Sequence, residues 1–216
     1  MSITEASSGA GLPQRPYDRL YLSRAGLPLW GDSPGRLVGG LSYQGQSKIA
    51  LDAGCGDGKN AIHLERLGFD VIGIDHSDVA IKLLHERFHS NGRPVLGSYS
   101  VADVRTWRPV GLEVDVLVSY GLYHCLPQND RATHEHLLNL IRPGGTLLFC
   151  SLTDGVPMGD EHCTPGIELP SVKEVDEHLQ GFTILERSVE KFDGSHPPLV
   201  GPHRHEAIWI SARRPT

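Results

Sequence analysis

The run Ile49-Ala50-Leu51-Asp52-Ala53-Gly54-Cys55-Gly56-Asp57-Gly58, answered by Val71-Ile72-Gly73-Ile74-Asp75, constrains this chain more than any other feature. An apolar segment of strand length enters a turn with three alternate glycines. A helical segment follows, and a second apolar strand ends in a carboxylate. Strand, turn, helix and strand in that order build a nucleotide pocket at the carboxyl end of a parallel sheet. Glycines in the turn let the backbone approach a ligand where a Cβ would clash. Asp75, 17 residues after Gly58, is placed to accept hydrogen bonds from two ribose hydroxyls.

The glycine spacing selects among nucleotides. Dinucleotide folds use G-x-G-x-x-G, which seats a diphosphate on a helix N-terminus. Here the pattern is D-x-G-x-G-x-G, led by Asp52. A carboxylate before the loop suits a cationic ligand better than a pyrophosphate. S-adenosylmethionine combines adenosine, ribose and a cationic amino-acid end. It is the expected cofactor, with S-adenosylhomocysteine as product. Gly54, Gly56 and Gly58 form its loop, Asp52 faces its amino group, Asp75 holds its ribose and His76 flanks its adenine.

Leu51-Asp52-Ala53-Gly54-Cys55-Gly56-Asp57-Gly58 resembles motif I of the class I S-adenosylmethionine-dependent methyltransferases. Within that family, Gly58-Lys59-Asn60-Ala61 and the stretch from Leu67 to Asp75 are similar to the small tellurite-resistance type, with thiopurine methyltransferases as more distant relatives. The resemblance covers residues 47 to 152, matches 17 to 38 more loosely and reaches the C-terminal quarter only in outline. It implies a seven-stranded sheet with one antiparallel strand. It also implies that Val101-Ala102-Asp103-Val104 meets the adenine edge, Asp103 accepting from the exocyclic amine and the Val104 N–H facing a ring nitrogen. Arg142-Pro143-Gly144-Gly145 looks like the family's turn before strand five. Motif I specifies the cofactor and says little about the methyl acceptor.

Periodicity and punctuation organise the rest. Strands are expected at Ile49–Asp52, Val71–Ile74, Val95–Val101, Val114–Ser119 and Thr146–Leu152, with a terminal β pair at Thr183–Val189 and Glu206–Ala212. Helices are expected at Lys59–Leu67, Asp78–Ser90 (capped by Ser77 or Asp78), Asp130–Ile141 (stopped by the Arg142–Gly145 turn) and Ser171–Leu179. Strand–helix alternation closed by a hairpin gives an α/β fold: a doubly wound, Rossmann-like, mostly parallel sheet with helices on both faces. Residues 1–45 are read as an N-terminal tail and lid, with 1–12 disordered and a short helix near Tyr17–Leu22. Residues 46–216 are read as the cofactor-binding domain, so the 216 residues make one domain.

Composition narrows the partners. The formal net charge is −6 and no basic run occurs, which argues against nucleic acid. Four cysteines, Cys55, Cys125, Cys150 and Cys163, lie far apart and read as reduced thiols; with no signal peptide, a cytoplasmic protein is expected, monomeric or homodimeric. No apolar stretch approaches the ~18 residues of a membrane span. The twelve histidines show no structural-zinc spacing, and His134 and His136 would not face one another on a helix, so no metal is expected.

Methyl transfer from a sulfonium is an in-line displacement at carbon. The protein must align donor and nucleophile and exclude water; it needs a base only where the nucleophile must lose a proton. Residues at the carboxyl end of the fourth strand, Ser119, Tyr120, Tyr123 and His124, lie between cofactor and acceptor. Before the last strand, His203 and His205 share one face of an extended segment with Arg204 opposite. Tyr120, His124 and His203 are the candidate catalytic residues. Trp30, Tyr123, Arg204 and His205 are the candidate acceptor contacts, Arg204 as a partner for a carboxylate or oxyanion. The Pro- and Gly-rich segments 153–170 and 191–202 are expected to be long loops shaping the acceptor pocket. A small-molecule acceptor is the expectation. Two alternatives stay open: an S-adenosylmethionine-consuming cyclase that releases methylthioadenosine, and a non-catalytic S-adenosylmethionine-binding module.

Overall fold

A strand covered on both faces must be apolar at odd and even positions alike, and the centre of this chain meets that demand. The computed structural model describes residues 17–24, 26–42, 48–90, 92, 94–157, 168–196 and 200–216, apart from the side chains of 196 and 200. Its strands are β1 (Ile49–Ala53), β2 (Asp70–Asp75), β3 (Ser98–Val101), β4 (Val114–Tyr120), β5 (Ile141–Thr153), β6 (Thr183–His196) and β7 (Val200–Arg213). Its helices are α1 (Asp18–Ser23), α2 (Arg36–Gly39), α3 (Lys59–Arg66), α4 (Asp78–Ser90), α5 (Glu135–Asn139) and α6 (Val172–His178). The seven strands form one sheet in the order β3-β2-β1-β4-β5-β7-β6, in which β7 runs antiparallel to both neighbours and the other pairs are parallel. The order reverses between β1 and β4, so a crevice opens beyond their carboxyl ends.

Strand alternation divides the core between the two faces. Leu51, Leu117, Leu147, Phe149, Ile208 and Ile210 turn toward α5 and α6, where Leu137, Val175 and Leu179 meet them. Ala50, Val71, Val116, Val118 and Leu148 turn the other way, toward Ala61 and Leu64 of α3 and Leu37 and Val38 of α2. β3 and β6 are the edges and are correspondingly exposed.

The structure departs from the sequence reading in three places. The helix expected over Asp130–Ile141 splits into a 3-10 segment, Gln128–His134, followed by α5. Ile141 then opens β5, and Arg142–Gly145 becomes an irregularity inside that strand, where the register shifts opposite Val114/Val116 and Gly144 takes φ +77°. Much of the loop expected over 191–202 is paired strand: Phe192 faces His205 and Gly194 faces His203. β5 stops at Thr153 opposite Glu206, so among the described residues the outer hairpin pairs only with itself beyond that point and projects past the carboxyl end of the sheet. The strand expected at Val95–Val101 is trimmed to β3. The expected disorder of 1–12, residues 158–167 of the loop expected over 153–170 and residues 197–199 of that expected over 191–202 lie outside the described residues.

A polar cluster sits within the α5–α6 side of the core. Ser119 Oγ lies 2.8 Å from His134 Nε2, and His134 Nδ1 lies 3.0 Å from His178 Nε2. Tyr123, 2% exposed, packs against both imidazoles and Phe149. Burial and the neighbouring His178 hold the His134 pKa well below the ordinary 6.5, and burial lowers that of His178. The unfolded chain takes up these protons near pH 6.5 and the native state does not. Stability therefore falls as pH drops below about 6.5 and continues to fall until the native pKa is reached. A histidine held neutral costs about 1.4 kcal/mol at pH 5.5. Urea unfolding at pH 7.5 and 5.5 is expected to show a loss in the wild type that is about that much smaller in His134→Gln. Equal losses in the two proteins would assign the acid sensitivity to other groups.

Candidate active site

β1 ends in a turn whose geometry glycine alone supplies cheaply: φ is +72° at Gly54, +55° at Gly56 and +88° at Gly58. The Gly54 and Cys55 N–H groups both donate to the Ile74 carbonyl, at 2.8 and 3.0 Å, tying the loop to β2. Asp75 completes the tie. Its Oδ2 accepts from the Gly56 N–H at 2.9 Å and its Oδ1 from the Ser77 N–H at 2.8 Å. The glycines differ in what they face. A Cβ on Gly56 would lie 2.7 Å from the Tyr21 hydroxyl, inside the cavity described below. A Cβ on Gly58 would lie 2.8 Å from Leu84 of α4. Gly58, expected at the cofactor, is therefore a packing glycine between α3 and α4 and is not on the cavity wall.

The N-terminal segment is fastened over this loop. Leu29 donates its N–H to Asp57 Oδ2 at 2.8 Å, and Gly35 donates to Asn60 Oδ1 at 2.8 Å. Ser77 Oγ donates to Asp18 Oδ1 at 2.5 Å. Arg87 of α4 reaches the Asp57 carbonyl and Asp32 Oδ1, at 2.7 and 2.9 Å. Tyr17, Tyr21 and Trp30 thereby become one wall of the cavity, with Trp30 Nε1 donating to the Tyr21 hydroxyl at 3.2 Å.

The cavity has a volume of about 490 Å³, within the usual range for small-molecule sites. Gly54, Cys55, Gly56, Asp75 and His76 line it at the ends of β1 and β2; Tyr120, His124, His205 and Trp209 line it at the ends of β4 and β7. Asp52 lies buried beneath the loop, 1% exposed, with no hydrogen-bond partner for Oδ2 among the described residues. Burial, reinforced by the nearby Asp75, pushes its pKa up to about 7. A buried, half-titrated carboxyl at the loop favours a cation nearby.

Alternation along β4 sorts the acceptor-side candidates. Tyr120 points to the cavity, where its ring lies 6.0 Å beneath the Lys59 ammonium, and burial raises its pKa far above neutrality. It stays a phenol and is no base. Ser119 points the other way, fully buried against His134, and Tyr123 follows it into the core; neither reaches the cavity. Asp103 is clamped by Arg105, whose Nε and NH2 groups lie 3.0 and 2.7 Å from its oxygens and hold it below the usual carboxylate range. Val104 is buried in the core. Neither lines the cavity; the preceding Ala102 N–H bonds the Asp75 carbonyl at 2.8 Å.

The histidines carry proton positions that their partners fix. His124 Nδ1 accepts from the Leu152 N–H at 3.0 Å, so neutral His124 holds its proton on Nε2 and is a donor there. His203 Nδ1 lies 2.7 Å from the Gly201 carbonyl and must donate to it. His203 Nε2 then accepts from His205 Nε2, also 2.7 Å away, so neutral His205 carries its proton on Nε2. His205 is on the cavity wall and His203 stands behind it. Arg204 points outward, 64% exposed at the side chain and 3.5 Å from Asp193; the alternation that aims its neighbours inward removes it from the site.

Sequence reasoning missed several walls of the cavity: Tyr17, Tyr21, Arg36, Lys59, Phe192 and Trp209. Arg36 NH1 bonds Glu190 Oε1 at 2.7 Å and its guanidinium stacks 4.4 Å from the Trp209 ring, joining α2 to the β6–β7 arm. Aromatic residues in a lid and in a hairpin arm look like ordinary packing in sequence; only the tertiary arrangement brings them together. Among the described residues no group of three histidine, cysteine or acidic side chains could hold a metal, and no helix is long and apolar enough to cross a membrane.

Comparison with known proteins places these features in a family. The family described as "Methyltransferase domain" matches residues 50–145. Thiocyanate methyltransferase 1 of Arabidopsis thaliana is 30% identical over 110 residues, covering 50% of this chain and 48% of that protein. An uncharacterized methyltransferase of Schizosaccharomyces pombe is 30% identical over 99 residues, covering 46% of this chain and 67% of that one. The chain thus spans about half the length of the first of these relatives. The crystal structure of TehB from Haemophilus influenzae shares the fold, with a TM-score of 0.65, 21% identity, and coverage of 78% of this chain and 58% of that one.

The different surroundings of the glycines predict different costs of a methyl group. Gly54→Ala meets Leu122 at 3.4 Å, an ordinary contact, and bears only the left-handed backbone strain, about 1–2 kcal/mol. Gly58→Ala adds overlap with Leu84 and is expected to cost about 2–4 kcal/mol. Urea unfolding of both variants checks the order; equal costs would remove Leu84 packing as the reason for Gly58.

Proposed function

The chain belongs to the class I S-adenosylmethionine-dependent methyltransferase family, and from that premise we propose that it transfers the cofactor's methyl group to a small-molecule acceptor. The observation that carries this reading is one cavity with two chemically distinct ends: a glycine loop with Asp75 on the wall and Asp52 buried beneath it at one, and Tyr120, His124 and His205 at the other. The lid favours a small acceptor, because Tyr17, Tyr21 and Trp30 wall one side of the cavity. The free thiols of Cys55, Cys125 and Cys150 suit a reducing, cytoplasmic setting.

The residues present fit the cofactor. Asp75 has one lone pair per oxygen engaged by backbone N–H groups and retains acceptor capacity for two ribose hydroxyls. Asp103 and the Val104 N–H stand at the end of β3 for the adenine edge, and His76 flanks it. Asp52 answers positive charge at the amino-acid end. When bound, S-adenosylmethionine supplies an electrophilic methyl carbon on a cationic sulfur. The protein's part is alignment and exclusion of water: Tyr17, Tyr21 and Trp30 close one side, and Tyr120 forms the floor. Where the acceptor carries a proton, the hydrogen-bonded His203–His205 pair takes it, His205 being the member on the cavity wall. His124, whose Nδ1 is occupied by the Leu152 N–H, lines the cavity and is not assigned as the base.

Isothermal calorimetry with a chelator present tests the cofactor assignment. S-adenosylmethionine and S-adenosylhomocysteine are expected to bind and a nicotinamide dinucleotide is not; the reverse pattern would overturn the assignment. Asp75→Ala should weaken binding by about 2–4 kcal/mol, through lost charge-assisted bonds and a loosened loop. The pH sign follows from Asp52. Its carboxyl must be ionised to favour the cationic cofactor, so S-adenosylmethionine should bind more tightly as pH rises through 7, by up to about tenfold per pH unit below it. Asp52→Asn should flatten that dependence. For an acceptor that must lose a proton, His205→Ala is expected to lower single-turnover rates by ~10²–10⁴-fold with cofactor affinity unchanged; a rate within a few-fold of wild type would place the base elsewhere.

A further inference from the structure

Lys59 is a poor choice for its position on local grounds. It is the first residue of α3, where the partial positive charge of the helix N-terminus disfavours a cation. It is also half-buried, and burial is the main reason its ammonium is held below the usual lysine pKa. Among the described residues the Tyr120 ring, 6.0 Å from its Nζ, offsets only part of this. Asp52, Asp57 and Cys150 lie within electrostatic range, yet among the described residues no carboxylate forms an ion pair with its Nζ. The second cation on the cavity wall, Arg36, is committed to Glu190, Ser188 and the Trp209 ring. Lys59 lines the cavity beside Gly54 and Gly56, next to the turn under which Asp52 Oδ2 lies buried without a hydrogen-bond partner.

A buried acid and a half-buried base, close to one another and yet not paired, describe a receptor for a ligand that carries both charges. The amino-acid end of S-adenosylmethionine is such a zwitterion: an ammonium and a carboxylate on one carbon. We propose that Lys59 binds the carboxylate of the cofactor's amino-acid end while Asp52 answers its ammonium. This rests on the cofactor reading above and extends it to the zwitterion. Lys59 is thereby a binding and selectivity residue: it makes the site prefer the intact amino-acid end over adenosine thioethers that lack the carboxylate. The unfavourable placement at the helix start becomes useful, because the α3 N-terminus and the lysine then present positive charge to the same anionic group.

Calorimetry with three ligands tests this without any methyl acceptor. The ligands are S-adenosylhomocysteine, its decarboxylated analogue 5′-deoxy-5′-(3-aminopropylthio)adenosine, and 5′-methylthioadenosine, which lacks both charges. Wild type is expected to prefer S-adenosylhomocysteine over the decarboxylated analogue by about 10- to 100-fold. In Lys59→Met, which keeps the apolar stem, the preference should collapse to within about threefold, entirely through weaker S-adenosylhomocysteine binding. Affinities for the other two ligands should hold, which also reports an intact site. Lys59→Arg should restore most of the preference. If Lys59→Met keeps the wild-type preference, or loses all three ligands equally while Lys59→Arg does not recover it, the assignment of Lys59 fails and the cofactor reading stands. If wild type binds none of the three, both fail.

Discussion

The Asp75 carboxylate is the point on which the site depends. One oxygen takes the Gly56 N–H and the other the Ser77 N–H, so a single side chain fixes the turn after β1 and the start of α4. Ser77 in turn caps α4 through the Ala80 N–H and bonds Asp18 of the lid. Glycine loop, strand end, helix start and lid are therefore joined by one chain of hydrogen bonds that begins at a carboxylate open to the cavity. The same group that shapes the pocket is left with lone pairs to read its ligand.

Around that point the fold divides labour between its halves. β1, β2 and α3 carry charge and backbone polarity, which suits a cofactor that is the same for every reaction. The ends of β4 and β7, with the β6–β7 arm, carry aromatic rings and histidines whose proton positions are fixed by neighbours. The lid belongs to both halves: Asp57 and Asn60 hold it to the glycine loop, and Arg36 holds it to the arm.

The fold was legible because its strongest signals are local. Apolar runs of strand length, positive-φ glycines and a capping serine each declare themselves within a few residues, and the α4 boundaries, Asp78–Ser90, agree with the expected ones. The strand order came from family resemblance and agrees with the sheet observed. The β6–β7 arm was not legible, because Gly194 and Pro202 read as loop residues although Gly194 pairs with His203 and Pro202 lies within β7. Within the site, period-two alternation correctly joined His203 to His205 and, followed through, also turns Ser119 and Arg204 away from the cavity. Tyr123 was misplaced because a 3-10 turn, Tyr123–Cys125, aims it into the core beside Phe149. Lys59 carried a signal that went unused: a cation at a helix N-terminus is disfavoured unless something negative is meant to meet it.

A crystal structure with S-adenosylhomocysteine bound tests the central claim most directly. The account predicts both ribose hydroxyls within hydrogen-bonding distance of Asp75, the amino-acid end over the Gly54–Gly56 turn, and the sulfur directed toward Tyr120 and His205. A ligand seated with its adenosine at the β4–β7 end, or with Asp75 bonded only to Gly56 and Ser77, would contradict it.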